Sequence, residues 1–356
     1  VSENLNKKRG LHFIIGIGRS GTTLLNKLLI DHPQLHCLPE ANFLVFFLNQ
    51  YKGKKQFYRS DIDLIFKQIS IYSLSHPWVG WNFDIERVKE EVISKVSEGI
   101  VSYQEVCKLI YSHFDIAGIT KSGDEILIDK NPSYTIFADK IESNFPEARF
   151  IWLIRDYRAN VLSRKQNTDL KSAEISFNAM RWKLFNSFAY NFYLQNKEKV
   201  LFLKYEDLVL DCENALKKIY SFLNIEQKEI TDRSIYDLNV LEPGMIPGHH
   251  QRVLKKYNDL NKPVNAERVT SWKQELSEKE ILVCEALCSD FSQKFGYTSV
   301  NKLGWLKRKM ILLSVSGSIL KAYIDFYKDR LIYYAPLSLK LKRLQKRYQK
   351  IGLFKK

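Results

Sequence analysis

Short apolar runs separated by longer amphipathic stretches organise this chain. Leu11–Ile17 (LHFIIGI) is apolar at nearly every position and ends in glycines, the pattern of a strand buried on both faces. Thr22–Ile30 (TTLLNKLLI) follows with helical periodicity. Leu35–Leu38, Ile126–Ile128, Phe150–Ile154 (FIWLI) and Val200–Leu203 are further strand candidates. Between Leu35–Leu38 and Ile126–Ile128, Asn42 to about Ile126 is mostly helical in pattern. DIDLIFKQISIYSL and IERVKEEVISKVSEGIVSYQEVCKLIYSHF are its clearest pieces, and it reads as a helical insertion over about 43–125. Helices are also predicted over Arg158–Arg164, over the aromatic-rich Ser172–Gln195, and over Cys212–Leu223 with Asp211 as cap. A further helix is predicted over Ser277–Phe295, where Ser-Glu-Lys-Glu fits a capping box. Strands alternating with helices predict an α/β fold, a mainly parallel sheet covered on both faces. The aromatic positions from Phe177 to Tyr193 suit either a core or an interface.

Composition narrows the classes. Apolar residues make up 45% and charged residues 27%, an ordinary globular balance that excludes disordered, collagen-like and disulfide-scaffold chains. No run reaches the eighteen or so apolar residues of a spanning helix. The net charge of +15 is concentrated in one place. Residues 301–356 hold 15 basic and 2 acidic side chains, whereas the first 300 hold 40 and 38. The simplest division is therefore one α/β domain over 1–300 and a basic amphipathic helical segment over 301–356. The near-neutral main domain is not expected to bind nucleic acid. Five cysteines (Cys37, Cys107, Cys212, Cys284 and Cys288) without CxxC spacing predict reduced thiols, hence a cytoplasmic protein, with no metal site. The sequence opens Val-Ser-Glu-Asn, without Met, and shows no signal peptide.

The sharpest local signal is Gly16-Ile17-Gly18-Arg19-Ser20-Gly21-Thr22-Thr23, set between a strand and a helix. Successive N–H groups and a helix N-terminus can surround an oxyanion there, with Arg19 and the hydroxyls of Ser20, Thr22 and Thr23 as further donors. Three readings compete. The spacing resembles a P-loop, but Thr22 stands where the P-loop lysine belongs, so an ATPase or kinase loses its β/γ-phosphate anchor. The same letters satisfy G-x-G-x-x-G, with Glu40 near the place of an acidic ribose ligand. The third reading is a structural glycine turn. Phosphate or phosphosulfate binding is preferred.

Arg155 ends the FIWLI strand, and Ser163 lies eight residues later on the next helix, so the two can meet one anion from two sides; a surface Arg and a helical Ser are the alternative. Glu40 follows the strand LHCL and Pro39. With that strand beside the first, its carboxylate enters the same crevice and can accept a proton; otherwise it is a solvated loop residue. Lys130 follows the ILID run and can place positive charge nearby. His32, before Pro33, suits a helix-end role, and His249-His250 has no partnered ligand pattern.

GRSGTTLLNKLLIDHPQL followed by LPE, then WLIRDYRANVLS, then LKYEDLVLDCENALKKIYSFLNI, resembles the sulfotransferase family that uses 3′-phosphoadenosine 5′-phosphosulfate. NKPVNAERVTSWKQEL, residues 261–276, is similar to the C-terminal element of protein-tyrosine sulfotransferases and their bacterial relatives. The matches run in order from about Phe13 to Thr298. This resemblance implies a P-loop-like three-layer fold. It implies that Arg19, Ser20, Gly21, Thr22 and Thr23 hold the 5′-phosphosulfate and that Arg155 and Ser163 hold the 3′-phosphate. Tyr205 would contact the nucleotide, and Lys262 would close over the donor. Glu40 matches the catalytic glutamate of the tyrosine and several carbohydrate enzymes, against the branch that uses histidine. Lys130 matches a lysine near the leaving oxygen, within a segment whose other residues vary.

The reaction expected from this resemblance is an in-line transfer without metal. Glu40 draws the proton from the acceptor, Arg19, Lys130 and the loop N–H groups stabilise the developing charge, and adenosine 3′,5′-bisphosphate leaves. The preferred acceptor is a carbohydrate or glycolipid hydroxyl, on composition and the lack of an evident anchor segment. A protein tyrosine is the alternative, and a degenerate nucleotide-dependent kinase or a non-enzymatic nucleotide-binding scaffold stand outside this chemistry. The basic segment alternates cationic clusters with aromatic and aliphatic groups. That pattern suits helices lying on an anionic membrane, peripheral on its inner face, helices docked on the domain, or a polyanion site.

Overall fold

The computed structural model describes residues 10–30, 32–38, 40–75, 84–99, 102–113, 125–167, 173–228 and 266–349. In chain order, β1 (Leu11–Ile15) leads through a glycine loop into α1 (Thr22–Leu29) and β2 (Leu35–Leu38). The helices α2 (Phe43–Tyr51), α3 (Arg59–Ser75), α4 (Ile85–Ser97) and α5 (Tyr103–Ser112) precede β3 (Ile126–Lys130). A 3₁₀ stretch, Pro132–Phe137, and α6 (Ala138–Asn144) lead to β4 (Phe150–Ile154), α7 (Tyr157–Lys165) and α8 (Ile175–Gln195). Then come β5 (Val200–Lys204), α9 (Tyr205–Leu210) and α10 (Cys212–Leu223). Two four-residue turns, Glu267–Thr270 and Trp272–Glu275, precede α11 (Glu278–Ser292), α12 (Trp305–Ser314), α13 (Ser316–Leu331) and α14 (Leu337–Gln349).

The five strands form one parallel sheet in the order β2-β3-β1-β4-β5. The central strands β1 and β4 are largely apolar on both sides because each side faces a different helical layer. Phe13 and Ile15 of β1, with Phe150, Trp152 and Ile154 of β4, join the core that includes α5 and α8. Ile14, Ile151 and Leu153 join the opposite core, with Leu25 and Leu29 of α1 and Leu216 and Ile219 of α10. This two-residue alternation puts α1 on one face, and α7 on the other through Val161. The helices that follow β1 and β4 therefore diverge, and the crevice between these neighbouring strand ends is the topological switch point of the sheet.

Caps mark several of the helix starts. Ser277 and Glu280 form the expected capping box of α11, and Asp211 accepts from the Asn214 N–H at the start of α10. The aromatics of α8 are largely core: Phe177, Trp182, Phe185 and Phe192 are buried. All five cysteines are buried, and none is joined in a disulfide. Part of the basic segment docks on the domain. Phe326 of α13 meets Phe185 edge-on at 5.6 Å, Asp325 pairs with Arg181 of α8, and the Lys340 ammonium donates to the Phe46 carbonyl at 2.9 Å.

Candidate active site

The loop between β1 and α1 turns on two glycines in the left-handed region. Gly16 has φ +147°, and a Cβ there would stand 2.3 Å from the Leu153 carbonyl oxygen. Its N–H donates to Thr135 Oγ1 at 2.8 Å, which ties the loop to the 3₁₀ stretch after β3. Gly21, at φ +92°, lies under the Tyr205 ring, whose Cδ2 is 2.3 Å from the place of a Cβ. Arg19 also takes a positive φ, 75°, at the tip of the turn. Ser20 and Thr22 are buried and Thr23 half-buried at the start of α1. The first N–H groups of α1 face this loop, as they must at any helix start.

Helix α7 holds the loop from the other side. Asn160, Ser163 and Arg164 follow i, i+3, i+4 spacing and so share one helix face. The Asn160 amide donates to the Gly18 carbonyl and to Ser20 Oγ, both at 3.2 Å. Arg19 Nε donates to Ser163 Oγ at 3.0 Å. Arg164, buried, donates from Nε to Asn178 Oδ1 at 2.8 Å. Burial first, then the neighbouring Arg181 and Arg19 charges, push its guanidinium down to about 9, still protonated at neutral pH. Arg155, at the end of β4, donates to the carbonyls of Arg19 and Arg268 at 3.3 and 2.6 Å and stacks on Tyr205 with its guanidinium carbon 4.3 Å from the ring centroid. Its Nε is buried and has no partner among the described residues.

The ends of β2 and β3 contribute a second group. Glu40, 90 residues from Lys130 in sequence, accepts from the Lys130 ammonium at 2.6 Å. The next residue back, Asp129, points to the opposite face, where Tyr111 donates to its Oδ2 at 2.5 Å and its Oδ1 has no partner among the described residues. Burial pushes the Asp129 carboxyl up to about 8. Asn131, beside Lys130, donates to the Ala41 carbonyl and fixes the spacing of the two strand ends.

Behind the crevice, Arg158 of α7 is clamped by Asp156 at 2.7 Å and by the fully buried Glu285 of α11 at 3.2 Å. Its guanidinium carbon lies 3.9 Å from the Trp272 ring centroid. Glu285 also accepts from the backbone N–H groups of Val300 and Asn301.

Sequence reasoning named Arg19, Ser20, Gly21, Thr22, Thr23, Arg155, Ser163 and Tyr205, and the structure gathers these at the β1 and β4 strand ends. It joins Glu40 to Lys130 at the β2 and β3 ends. Lys262 and His249-His250 lie outside the described residues. His32 binds away from the crevice: its Nε2 reaches the Glu226 carbonyl at 3.0 Å, and its ring packs on Tyr220. The loop contacts of Asn160, and of Arg164 through its Nη1 and the Gly18 carbonyl at 3.5 Å, were missed, although their spacing from Ser163 was the available signal.

A profile of the sulfotransferase family matches residues 12–229, which include the glycine loop, Glu40, Lys130, Arg155, Ser163 and Tyr205. The chain belongs to the sulfotransferase family. A protein-tyrosine sulfotransferase of Drosophila melanogaster is 25% identical over 276 residues, 75% of this chain and 48% of that protein. Protein-tyrosine sulfotransferase 1 of Danio rerio is 26% identical over 274 residues, 75% of this chain and 66% of that protein. The chain thus spans about half to two thirds of the length of these relatives. The solved sulfotransferase domain of the Synechococcus PCC 7002 olefin synthase superposes with a TM-score of 0.51 at 20% identity, covering 83% of this chain and 96% of that one. This likeness supports the P-loop-like α/β fold around the central parallel sheet.

Proposed function

We propose that this chain transfers a sulfuryl group from 3′-phosphoadenosine 5′-phosphosulfate to an acceptor hydroxyl. The observation that carries this reading is the pairing of two constellations at adjoining strand ends: a cationic glycine loop, and the Glu40 carboxylate held by Lys130. The bound donor supplies a sulfur centre open to in-line attack, with the bisphosphate as leaving group. Loop N–H groups, Arg19 and the hydroxyls of Ser20, Thr22 and Thr23 are assigned to the 5′ side. Arg155, Ser163 and Tyr205 are assigned to the 3′-phosphate and nucleotide, with Lys262 closing over them. The residues fit an anion of this kind. Arg164 sits beside two like charges, and Arg155 Nε is buried without a partner among the described residues.

In this reading Glu40 takes the acceptor proton. Lys130, one hydrogen bond from that carboxylate, orients it and lies ready to offset charge on the departing oxygen. The proposed reaction needs no metal, because sulfuryl transfer involves less negative charge than terminal phosphoryl transfer.

The preferred acceptor is a carbohydrate or glycolipid hydroxyl. A protein tyrosine is the second reading, and the names of the two relatives favour it at least as well. The test is calorimetric titration with adenosine 3′,5′-bisphosphate against magnesium-ATP, then transfer from radiolabelled donor to glycans, glycolipids and tyrosine peptides. The expected result is metal-independent preference for the bisphosphate, and Glu40→Gln should lower turnover by about 10²- to 10⁴-fold while leaving bisphosphate binding nearly unchanged. Preference for magnesium-ATP would overturn the donor assignment, and turnover of the variant near that of the parent would overturn the base. The labelled product decides between sugar and tyrosine.

A further inference from the structure

Helix α13 is apolar on two faces. Ala322 and Phe326 are buried toward α8, together with the half-buried Ile319. Leu320, Tyr323, Ile324, Tyr327 and Leu331 recur at helical spacing on another face and are all exposed, from 37% to 66%. The preceding helix repeats the arrangement. Arg308 of α12 turns inward to the Ala286 carbonyl and Asp290, while Trp305, Met310 and Leu313 are 65–73% exposed. A surface helix with a second, outward apolar stripe is a surface awaiting a partner.

Charge identifies that partner. Lys321 and Lys328, seven residues apart, line one edge of the α13 stripe, the Lys321 ammonium 5.3 Å from the Phe177 ring centroid, and Lys309 lies over the Trp305 ring at 3.9 Å. The acidic residues of this region, Asp325 and Asp329, are turned inward to Arg181. The outward face is therefore apolar with a cationic border. A symmetric pairing of two copies would bring like charges together around the seam, whereas an anionic lipid headgroup layer over an acyl interior matches both features. Among the described residues no single helix is long and apolar enough to cross a bilayer. The α12–α13 pair passes that test only jointly, with a 65° bend, and its inner face is already committed to the domain.

We propose that the outward face of α12 and α13 docks this protein on the surface of an anionic membrane, with the apolar stripe in the headgroup–acyl boundary and the lysines against lipid phosphates. The test is flotation of the full chain with phosphatidylcholine vesicles, with and without phosphatidylglycerol. Two variants are compared, Ile324→Glu/Leu331→Glu on the stripe and Lys321→Glu/Lys328→Glu on its border, each checked for an unchanged melting temperature. The expected result is binding that needs phosphatidylglycerol and weakens with salt, and that falls roughly tenfold or more in both variants. Failure of the parent chain to float with phosphatidylglycerol vesicles overturns the proposal, as does equal flotation of parent and stripe variant. A stripe-dependent dimer in light scattering, without flotation, assigns the face to a second copy instead.

Discussion

At the scale of single residues, adjacent positions on β3 have opposite environments. Lys130 faces the crevice and Glu40, whereas Asp129 faces Tyr111 in the apolar core. The alternation of a strand forces this division, and burial does the rest by pushing Asp129 up to about 8 from an ordinary 3.8. The native state then keeps a proton that the unfolded chain has released. Stability from this group is undiminished below the unfolded value and is lost progressively as pH rises toward about 8. Asp129→Asn keeps an oxygen for Tyr111 but has no proton to lose. The melting temperature of the parent chain should therefore fall more steeply than that of Asp129→Asn between about pH 5 and about pH 8, with the variant the more stable at the upper end. Parallel curves would show that Asp129 is ionised in the folded protein.

At the scale of elements, the crevice depends on how α7 is held. Its loop-facing side carries Asn160, Ser163 and Arg164, and its Arg158 is gripped by Asp156 and by Glu285 from α11. Glu285→Ala leaves that buried guanidinium with only one carboxylate and strips the Val300 and Asn301 N–H groups of their acceptor. The expected loss is about 3 kcal/mol or more in urea unfolding, and Glu285→Gln should restore part of it by keeping an acceptor oxygen. The strands were legible in the sequence because most are short runs buried on both sides, and the loop because its closest approaches, at Gly16 and Gly21, leave no room for a Cβ. Arg155 and Ser163 were legible as residues that could meet, since one strand-to-helix step separates them. The Glu40–Lys130 contact was not, because it depends on the register of β2 against β3 across a long helical insertion. Glu285 was hidden for a related reason: a carboxylate within a charged helix reads as solvated until its fold partner is known. The dual character of α13 was equally hidden, since apolar residues around a whole helix do not say which face packs.

At the scale of the whole molecule, the question is whether the basic segment is a separate unit or part of the domain's cooperative core. Its charge sets it apart in the sequence, but its packing spreads over distant elements. Phe326 meets Phe185 of α8, Tyr333 lies 5.7 Å from the Phe137 ring after β3, and Lys340 caps the Phe46 carbonyl of α2. A segment tied at three such places shares the stability of what it touches, because opening it exposes the apolar side of α8 as well as its own. Phe326→Ala removes a buried ring from that seam and should cost about 3 kcal/mol. The decisive quantity is how the loss is distributed. With one cooperative unit, far-ultraviolet circular dichroism and tryptophan fluorescence should report a single coincident transition, shifted as a whole to lower urea. If the segment opens by itself, the variant should instead show an early step of small amplitude, with the main transition left where it was.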